Sequence, residues 1–521
     1  MPTLHWIGKE KVINHHQEVP YRVLDKKYDF NTEEAKASDN KIIHGDNLEA
    51  LKSLLPEYEG RINCIYIDPP YNTGNENWVY NDNVSHPKIK KWLGDVVGKE
   101  GEDLSRHDKW LCMMYPRLKI LHKLLNTYGV IFISIDEIEV NYLKIICDEI
   151  FGYNRFIGQL VWKSRQNKDN RNISRLSNDH EYVLCYGNQL NGVKRNEDVF
   201  SNPDNDKRGK WVSANMVGLA DEKARPNLHY DLIDPETKIN YRRPKMGWRY
   251  DRNTMSKLIL QKRIIWPSSP TGRPRKKQFI TDYLESVTGY SSLIGDGLYT
   301  RDGTKLLNEI FEQKIFDFPK PTELISELIE QATSKNEIIL DSFAGSGTTA
   351  HAVLNLNKSD GGNRKFILIE MEDYADSITA ERVKRVIQGY GEGNKAVPGT
   401  GGDFSYYELG AKLFDEEGNL NEAVSLKEIQ SYIWYSETRT KWNPDSQVTD
   451  SYHLGTLEDT AYYFIYEKEE LTTLDFETIT QWITQPAAQY IVYSDNCLLP
   501  EAMMQQHKII FKKIPRDITR F

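Results

Sequence analysis

Pro69 and Pro70 interrupt this chain directly after an apolar run and a single acid, in the stretch IYIDPPYNTG (residues 65–74). Ile65, Tyr66 and Ile67 show no polar alternation, which fits a strand buried on both faces of a parallel sheet. Each proline fixes φ at about −65° and lacks an N–H, so the ladder must end there. Asp68 and the neighbouring carbonyls therefore stand at a strand's C-terminal tip with few N–H groups close by. In open α/β sheets that tip is where ligands bind. Acceptors with few local donors suit a ligand that brings donors, such as an exocyclic amino group, and Tyr71 adds a flat face for stacking. The competing reading is a Pro-Pro turn after an edge strand, with Asp68 as a helix cap. A second motif has to decide.

The surrounding chain alternates strand and helix. KIIHGDNLEALKSLL reads as a strand at 41–44, a turn at Gly45-Asp46 and a helix with Leu48, Leu51, Leu54 and Leu55 on one face. RINCIYID follows as a strand. Residues 72–108 are polar and long for a connection inside a compact domain, a length usual for lids and binding loops. Helical spacing resumes through Leu111, Met114, Leu118, Leu121 and Leu125, with a kink expected at Pro116 and a stop at Gly129. VIFISI is a strand, EIEVNYLKIICDEIFG a helix, and FIGQLVWKS and EYVLCYG are strand-like. The pattern then dissolves over 188–318 and returns at once with PKPTELISELIEQATS (helix, Pro321 in its first turn), EIILDSFAGSGTTAHAVLNL (strand, turn, helix), KFILIEM (strand) and DSITAERVKRVIQGYG (helix). Such alternation predicts a doubly wound, mostly parallel α/β sheet. The expected segments are an N-terminal extension (1–39), two sheet halves (40–187 and 319–395), a basic insertion between them (188–318), and a separate acidic α+β unit (396–521).

Charge follows the same division. Net charge over the 521 residues is −9, yet residues 160–280 carry 25 Lys and Arg against 13 Asp and Glu, whereas 392–521 carry 11 against 21. A basic surplus inside an acidic protein points to polyanion contact, because phosphate neutralisation dominates nucleic-acid affinity; a solvated basic face is the bland alternative. The start of the chain lacks the basic-then-apolar layout of a signal peptide, and no apolar stretch approaches the roughly 20 residues of a membrane span. The five cysteines are scattered without a C-x-x-C pair. Neither a metal site nor a disulfide framework is expected, and the cytoplasm is the expected location.

The second motif is ILDSFAGSGTTA (339–350), which puts Gly345 and Gly347 between a buried strand and a helix. Glycines there let a ligand approach the backbone, and the helix start offers free N–H groups. A phosphate-binding P-loop needs Lys after its last glycine, where Thr348 stands, and a dinucleotide fingerprint needs a third glycine, where Ala350 stands. Adenosine recognition without phosphates is the third reading. Phe343 and Ala344 would supply an apolar wall, and Glu370 at the next strand's tip would accept from ribose hydroxyls. A glycine-tightened turn without a ligand is the bland alternative.

Together DPPYNTG, the basic insertion, FPKPTELI and DSFAGSGTTAHAV resemble the S-adenosylmethionine-dependent amino-methyltransferases of DNA, in the permuted β order with the catalytic motif first. Within that family the chain is most similar to the modification subunits of type III restriction–modification systems, through GDNLEAL, YIDPPYNTG, IFDFPKPTELI and GGDFSYYELG. The resemblance covers most of 40–390. It implies a Rossmann-like methyltransferase sheet with an antiparallel strand near one edge, an inserted target-recognition domain, and transfer of methyl from S-adenosyl-L-methionine to adenine N6. Asp68 and the Pro69 carbonyl would accept the amino protons, with Pro70 holding the turn and Tyr71 stacking on a flipped-out base. Asn72 and Thr73 would shape the pocket rim. Phe343, Ala344, Gly345 and Gly347 would line the cofactor site, Glu370 would hold the ribose and Asp341 would orient the methionine end. Asp46 either touches the cofactor or caps the following helix. Implied partners are double-stranded DNA, a second copy of the chain, and a separate restriction (helicase–nuclease) subunit.

The remaining candidates lie in and around the insertion. Arg273, Arg275, Lys276 and Lys277 suit phosphate contact or form a solvated charge run. Arg242, Arg243, Arg249 and Arg252 flank Trp248 and Tyr250, a mixture suited to base reading or stacking. Trp78 and Tyr80 either clamp a ligand or pack the long connection. His180 and His351 read as structural histidines. Rival functions are cytosine-N4 methylation, which Asp rather than Ser at position 68 disfavours by family analogy, methylation of protein or RNA, and a non-catalytic DNA-binding module.

Overall fold

A computed structural model describes residues 3–31, 39–72, 106–168, 175–283, 287–444 and 452–521. Thr73, Trp78 and Tyr80 lie outside the described residues, as does most of the long polar connection. The larger of two compact units comprises residues up to 191 and from 291 onward; the smaller is 192–290.

In the larger unit ten described strands form one mixed sheet: β1 (Arg22–Asn31), β2 (Lys41–His44), β3 (Ile62–Ile67), β4 (Leu125–Ile135), β5 (Phe156–Trp162), β6 (Glu181–Gly187), β7 (Leu293–Ile294), β8 (Ile338–Asp341), β9 (Lys365–Glu370) and β10 (Asp403–Lys412). Their order is β1-β10-β2-β9-β8-β3-β4-β6-β5-β7, and all but β1 and β6 run the same way. Strands at the centre carry apolar runs on both faces because both are covered. Ile65, Ile67, Ile131, Ile133, Leu340 and Ile369 share a core with α1 (Asn47–Tyr58), α2 (Arg106–Leu124) and α3 (Val140–Cys147). The alternate residues Cys64, Tyr66, Phe132, Ile339 and Leu368 are equally buried. On that side α5 (Thr322–Ala332) meets β3 and β4, and α6 (Thr348–Asp360) meets β9. A further helix, α4 (Thr300–Phe311), precedes α5, and α7 (Glu381–Gln388) follows β9.

The pairing fixes the geometry of the ligand edge. Leu340 of β8 is level with Ile65 of β3, and Asp341 with Leu368 of β9. Asp68, Asp341 and Glu370 thus leave three adjacent parallel strands at one edge of the sheet.

Several expectations need correction. The 1–39 segment is more than an extension, since β1 closes the sheet edge against β10. Helix α2 gives way to β4 at Leu125, before Gly129, and runs through Pro116. Composition places the insertion at 188–318, but the smaller unit ends at 290. Leu293 and Ile294 pair with Val161 and Trp162 of β5, and the Thr300 N–H donates to the Ser164 carbonyl. A two-residue strand leaves no period for sequence analysis to find. From 396 onward the chain is not separate either. β10 lies between β1 and β2, and Tyr432, Tyr435 and Phe521 join the main core. Residues beyond 452 do build a four-stranded sheet with its own apolar cluster around Ala461, Tyr463, Val492 and Ile509.

The smaller unit contains a three-stranded antiparallel sheet (Trp211–Ala214, Arg275–Phe279, Ile264–Ile265) and a helix, Arg252–Leu260, capped by the Asp251 carboxylate on the Thr254 N–H. Met216, Tyr230, Leu232, Trp248, Met255 and Ile264 form its core. Among the described residues no helix is long and apolar enough to cross a membrane.

Candidate active site

The ladder of β3 stops at Ile67, and the turn that follows is pinned by Trp110, whose Nε1–H donates to the Pro70 carbonyl at 2.6 Å. Asn72 takes a left-handed φ of 61° and donates to Glu139 at 2.5 Å, so it closes the turn from beneath. Asp68 and Tyr71 are thereby aimed into a cleft of about 690 Å³. Pro69, Asp341, Phe343, Ala344 and Gly345 line the same cleft. The two motifs, some 270 residues apart in the chain, therefore share one cavity.

The Asp68 carboxylate is held by Lys320, whose Nζ donates to Oδ1 at 2.9 Å and Oδ2 at 2.8 Å. Lys320 also donates to the Tyr71 hydroxyl at 2.9 Å, which in turn donates to Asp68 at 2.7 Å and to Glu181 at 3.1 Å. Glu181 is 3.3 Å from the same ammonium, which sits 4.9 Å from the centre of the Tyr71 ring. Burial works against the charge of Lys320, but Asp68 and Glu181 outweigh it and raise its pKa above the ordinary lysine value. The Tyr71 hydroxyl is pushed well above its usual value by burial and by the same two acids, so it stays protonated.

Sequence analysis missed Lys320 and Glu181. Lys320 belongs to the FPKP stretch, read there as a helix start and as part of the family resemblance with no role given to the lysine; it immediately precedes the α5 cap at Pro321. Glu181 opens β6, and because β6 is antiparallel its first residue lies at the edge where the parallel strands end. A period-based reading gives no strand direction, so that signal was out of reach.

The cofactor candidates divide into two groups. Asp341 accepts from the Phe343 N–H at 3.0 Å and the Thr349 hydroxyl at 2.6 Å, and burial raises its carboxyl to about 7 despite those bonds. Glu370 lies behind Gly345, accepting its N–H at 2.7 Å and that of Glu372 at 2.9 Å, and burial pushes it up to about 8. Gly345, at φ 52°, faces the cleft; Gly347, at φ 80°, caps α6, where a Cβ would meet the Thr379 carbonyl at 3.1 Å. Neither Gly347 nor Glu370 is on the cleft wall. Asp46 takes the capping option: its carboxylate accepts from Leu48 at 2.9 Å and Glu49 at 3.1 Å, and it too is off the wall. His180 faces the cleft with its Nε2 2.9 Å from the Tyr182 hydroxyl, while His351 is a buried residue of α6 itself.

The basic candidates and the aromatics among them sit in the smaller unit, and Trp248 is corrected. Trp248 is fully buried and donates to the Tyr230 carbonyl at 2.8 Å, so its indole is core and unavailable for stacking. Lys277 is paired with Asp204 and with Asp206 at 3.2 Å. Arg243 is paired with Glu222 at 2.5 Å, Arg249 donates to the Val217 carbonyl at 3.1 Å, and Arg275 donates to the Ser213 hydroxyl at 2.6 Å. Arg252 stacks over Tyr230, and Lys276 lies 5.6 Å from the Tyr250 ring. Arg242 and Arg273 are exposed neighbours, with the Arg273 guanidinium on the Arg242 carbonyl at 3.2 Å.

A family model described as "DNA methylase" matches residues 62–381, which span both motifs and the smaller unit between them. The chain belongs to that family. Among curated relatives, the type III restriction-modification enzyme EcoP15I Mod subunit of Escherichia coli is 31% identical over 425 residues, covering 71% of this chain and 64% of the relative. The StyLTI Mod subunit of Salmonella typhimurium is 32% identical over 422 residues, covering 73% and 62%. The type II methyltransferase M.KpnI of Klebsiella pneumoniae is 34% identical over 374 residues, covering 66% and 84%. The chain thus spans a little under two thirds of the length of the two Mod subunits.

Proposed function

We propose that this DNA methylase transfers a methyl group from S-adenosyl-L-methionine to adenine N6 in double-stranded DNA, as the modification component of a type III restriction–modification system. The observation that carries the reading is the single cleft in which Asp68 and Tyr71 face Phe343, Ala344 and Gly345. The type III relatives support the system assigned.

The donor set suits the cofactor. Gly345 holds a left-handed backbone on the cleft wall, and Phe343 and Ala344 give apolar surface beside it. Asp341 and Glu370 are buried carboxyls with no ion-pair partner among the described residues; Asp341 lines the cleft and can receive a donor from the amino-acid end, while Glu370 holds the Gly345 backbone from behind. The bound cofactor supplies an electrophilic methyl on a sulfonium. The protein has to make an aromatic amino group nucleophilic, because its lone pair is delocalised into the ring. Asp68 accepts an amino N–H, which draws density back to nitrogen. The nitrogen lone pair then forms the new N–C bond, the S–C electrons stay on sulfur, and the released proton passes to Asp68. Tyr71 stacks on the base, which must leave the duplex to reach the cleft. The incoming amino group takes the place of Lys320 on Asp68, and Glu181 is the second acceptor that keeps the ammonium paired meanwhile.

The domain roles follow. Residues 192–290 are the target-recognition unit, with exposed Arg242 and Arg273 on phosphates, and the acidic C-terminal region docks a restriction subunit. The chain pairs with a second copy and works in the cytoplasm. Incubating the protein with DNA and methyl-labelled cofactor, then digesting to nucleosides, tests the reading: labelled N6-methyldeoxyadenosine is expected, and labelled N4-methyldeoxycytidine or unlabelled DNA overturns it.

A further inference from the structure

Arg382, in the first turn of α7, is buried completely, and among the described residues it forms no ion pair. Its guanidinium donates from one terminal nitrogen to the Ser346 hydroxyl at 2.9 Å and the Thr348 hydroxyl at 2.8 Å. The other reaches the Thr322 hydroxyl at 3.1 Å and His351 Nδ1 at 3.3 Å, and Nε finds no partner. Every acceptor is a neutral oxygen or nitrogen. Because arginine only donates, His351 Nδ1 must accept and the imidazole is neutral, consistent with its strongly lowered pKa from burial and from Arg382 itself. Burial lowers the arginine only to about 10, so it is a cation at neutral pH.

An unpaired buried cation is costly, and natural interiors retain one where its field is used. Two of its acceptors reach the cavity. Ser346 and Thr348 both line the cleft, where α6 begins with its unbonded N–H groups and the positive end of its dipole. The same cleft also carries the acids Asp68, Glu181, Asp136, Glu137 and Asp341, and the cations Lys320 and Arg165. At the Ser346–Thr348 wall the cleft therefore meets a hidden positive charge whose polarity two hydroxyls relay to the surface.

We infer that Arg382 is a positioning residue that draws the carboxylate of the cofactor's amino-acid end to the Ser346–Thr348 end of the cleft, an inference that rests on the methyltransferase reading above. Each hydroxyl spends an acceptor lone pair on the guanidinium and keeps its own proton to donate, as an anion requires. This sets the zwitterion's direction in the cleft: carboxylate to Ser346 and Thr348, and the positive groups toward Asp341 and Asp68.

The test compares two ligands by equilibrium titration calorimetry. S-adenosylhomocysteine carries the carboxylate; 5′-methylthioadenosine lacks the amino-acid end. In Arg382→Met the affinity for S-adenosylhomocysteine is expected to fall at least tenfold while that for 5′-methylthioadenosine changes less than twofold. Arg382→Lys should restore part of the loss, and Thr348→Val should reproduce it more weakly, so the inference stays open to refutation if the methionine variant does not fold. Equal losses for both ligands, or none for either, would overturn it. Wild-type protein that binds both ligands equally well overturns the inference alone; wild-type protein that binds neither overturns the cofactor reading as well.

Discussion

Asp68 and Glu370 leave the tips of parallel strands on either side of β8, on one edge of one sheet, yet they meet opposite surroundings. Asp68 is clasped by a lysine and a tyrosine and faces the cleft. Glu370 is buried, accepts from the backbone N–H groups of Gly345 and Glu372, and is pushed up to about 8. Topology gives both acids the same address; the partner decides the chemistry. An acid beside an ammonium is offered charged donors at the cleft, whereas burial beside backbone amides raises the pKa of Glu370 behind the wall.

The comparison breaks first at Asp68. Replacing it with Ala should lower methyl transfer by about 10³-fold, the scale of losing one preorganised electrostatic contact, while S-adenosylhomocysteine binding stays within a factor of three in calorimetry. Unchanged turnover would mean that the strand tip carries no chemistry.

A contrast within the smaller unit comes next. Trp248 in its core should cost about 3–5 kcal/mol when cut to Ala, the usual range for a buried aromatic. Denaturant unfolding should show the loss, whereas Arg273→Ala should leave stability unchanged and weaken DNA binding alone. If Trp248→Ala left the unit stable, the burial assigned to it would be wrong.

Lys320 sharpens the comparison further. Lys320→Met strips Asp68 and Glu181 of their shared cation. The expected loss is about 1–2 kcal/mol, reduced from that of a wholly buried pair because those acids keep 26% and 20% side-chain exposure. Adding Glu181→Gln should recover part of it in a double-mutant cycle; additive losses would show that the groups do not interact.

The smallest effect is in pH. Asp341 and Glu370 titrate at about 7 and about 8 in the folded state, against about 4 when unfolded. The folded protein therefore holds these protons to higher pH than the unfolded chain. Ligand-free stability should fall as pH rises from about 4 to 8 and level off above. A cofactor bearing positive groups favours the ionised acids, so its affinity should rise across pH 6–8.5, and Asp341→Asn should flatten the lower part of that rise. A flat profile in the unmodified protein would contradict the buried-acid account.

Much of this was legible in the sequence, and the reasons are specific. Pro69 and Pro70 announce the end of β3 by removing two donors, and Gly345 and Gly347 announce the β8 turn by their permitted backbone, so local chemistry marked both halves of the cleft. Family resemblance joined them. What sequence could not supply was direction and partnership. Glu181 reaches the cleft because β6 runs backward, Lys320 because a polar segment folds back, and Trp248 looked like a binding residue because its arginine neighbours are close in sequence while its ring points inward. The two-residue β7 and the placement of β10 beside β2 depend on contacts far apart in the chain, which leave no local period.

A crystal structure of the protein with S-adenosylhomocysteine and DNA carrying an extrahelical adenine would test the central claim most directly. The account predicts the adenine amino nitrogen within hydrogen-bond distance of Asp68, its ring against Tyr71, and the Lys320 ammonium shifted onto Glu181. An adenine lodged elsewhere, with Lys320 still bonded to both oxygens of Asp68, would contradict it.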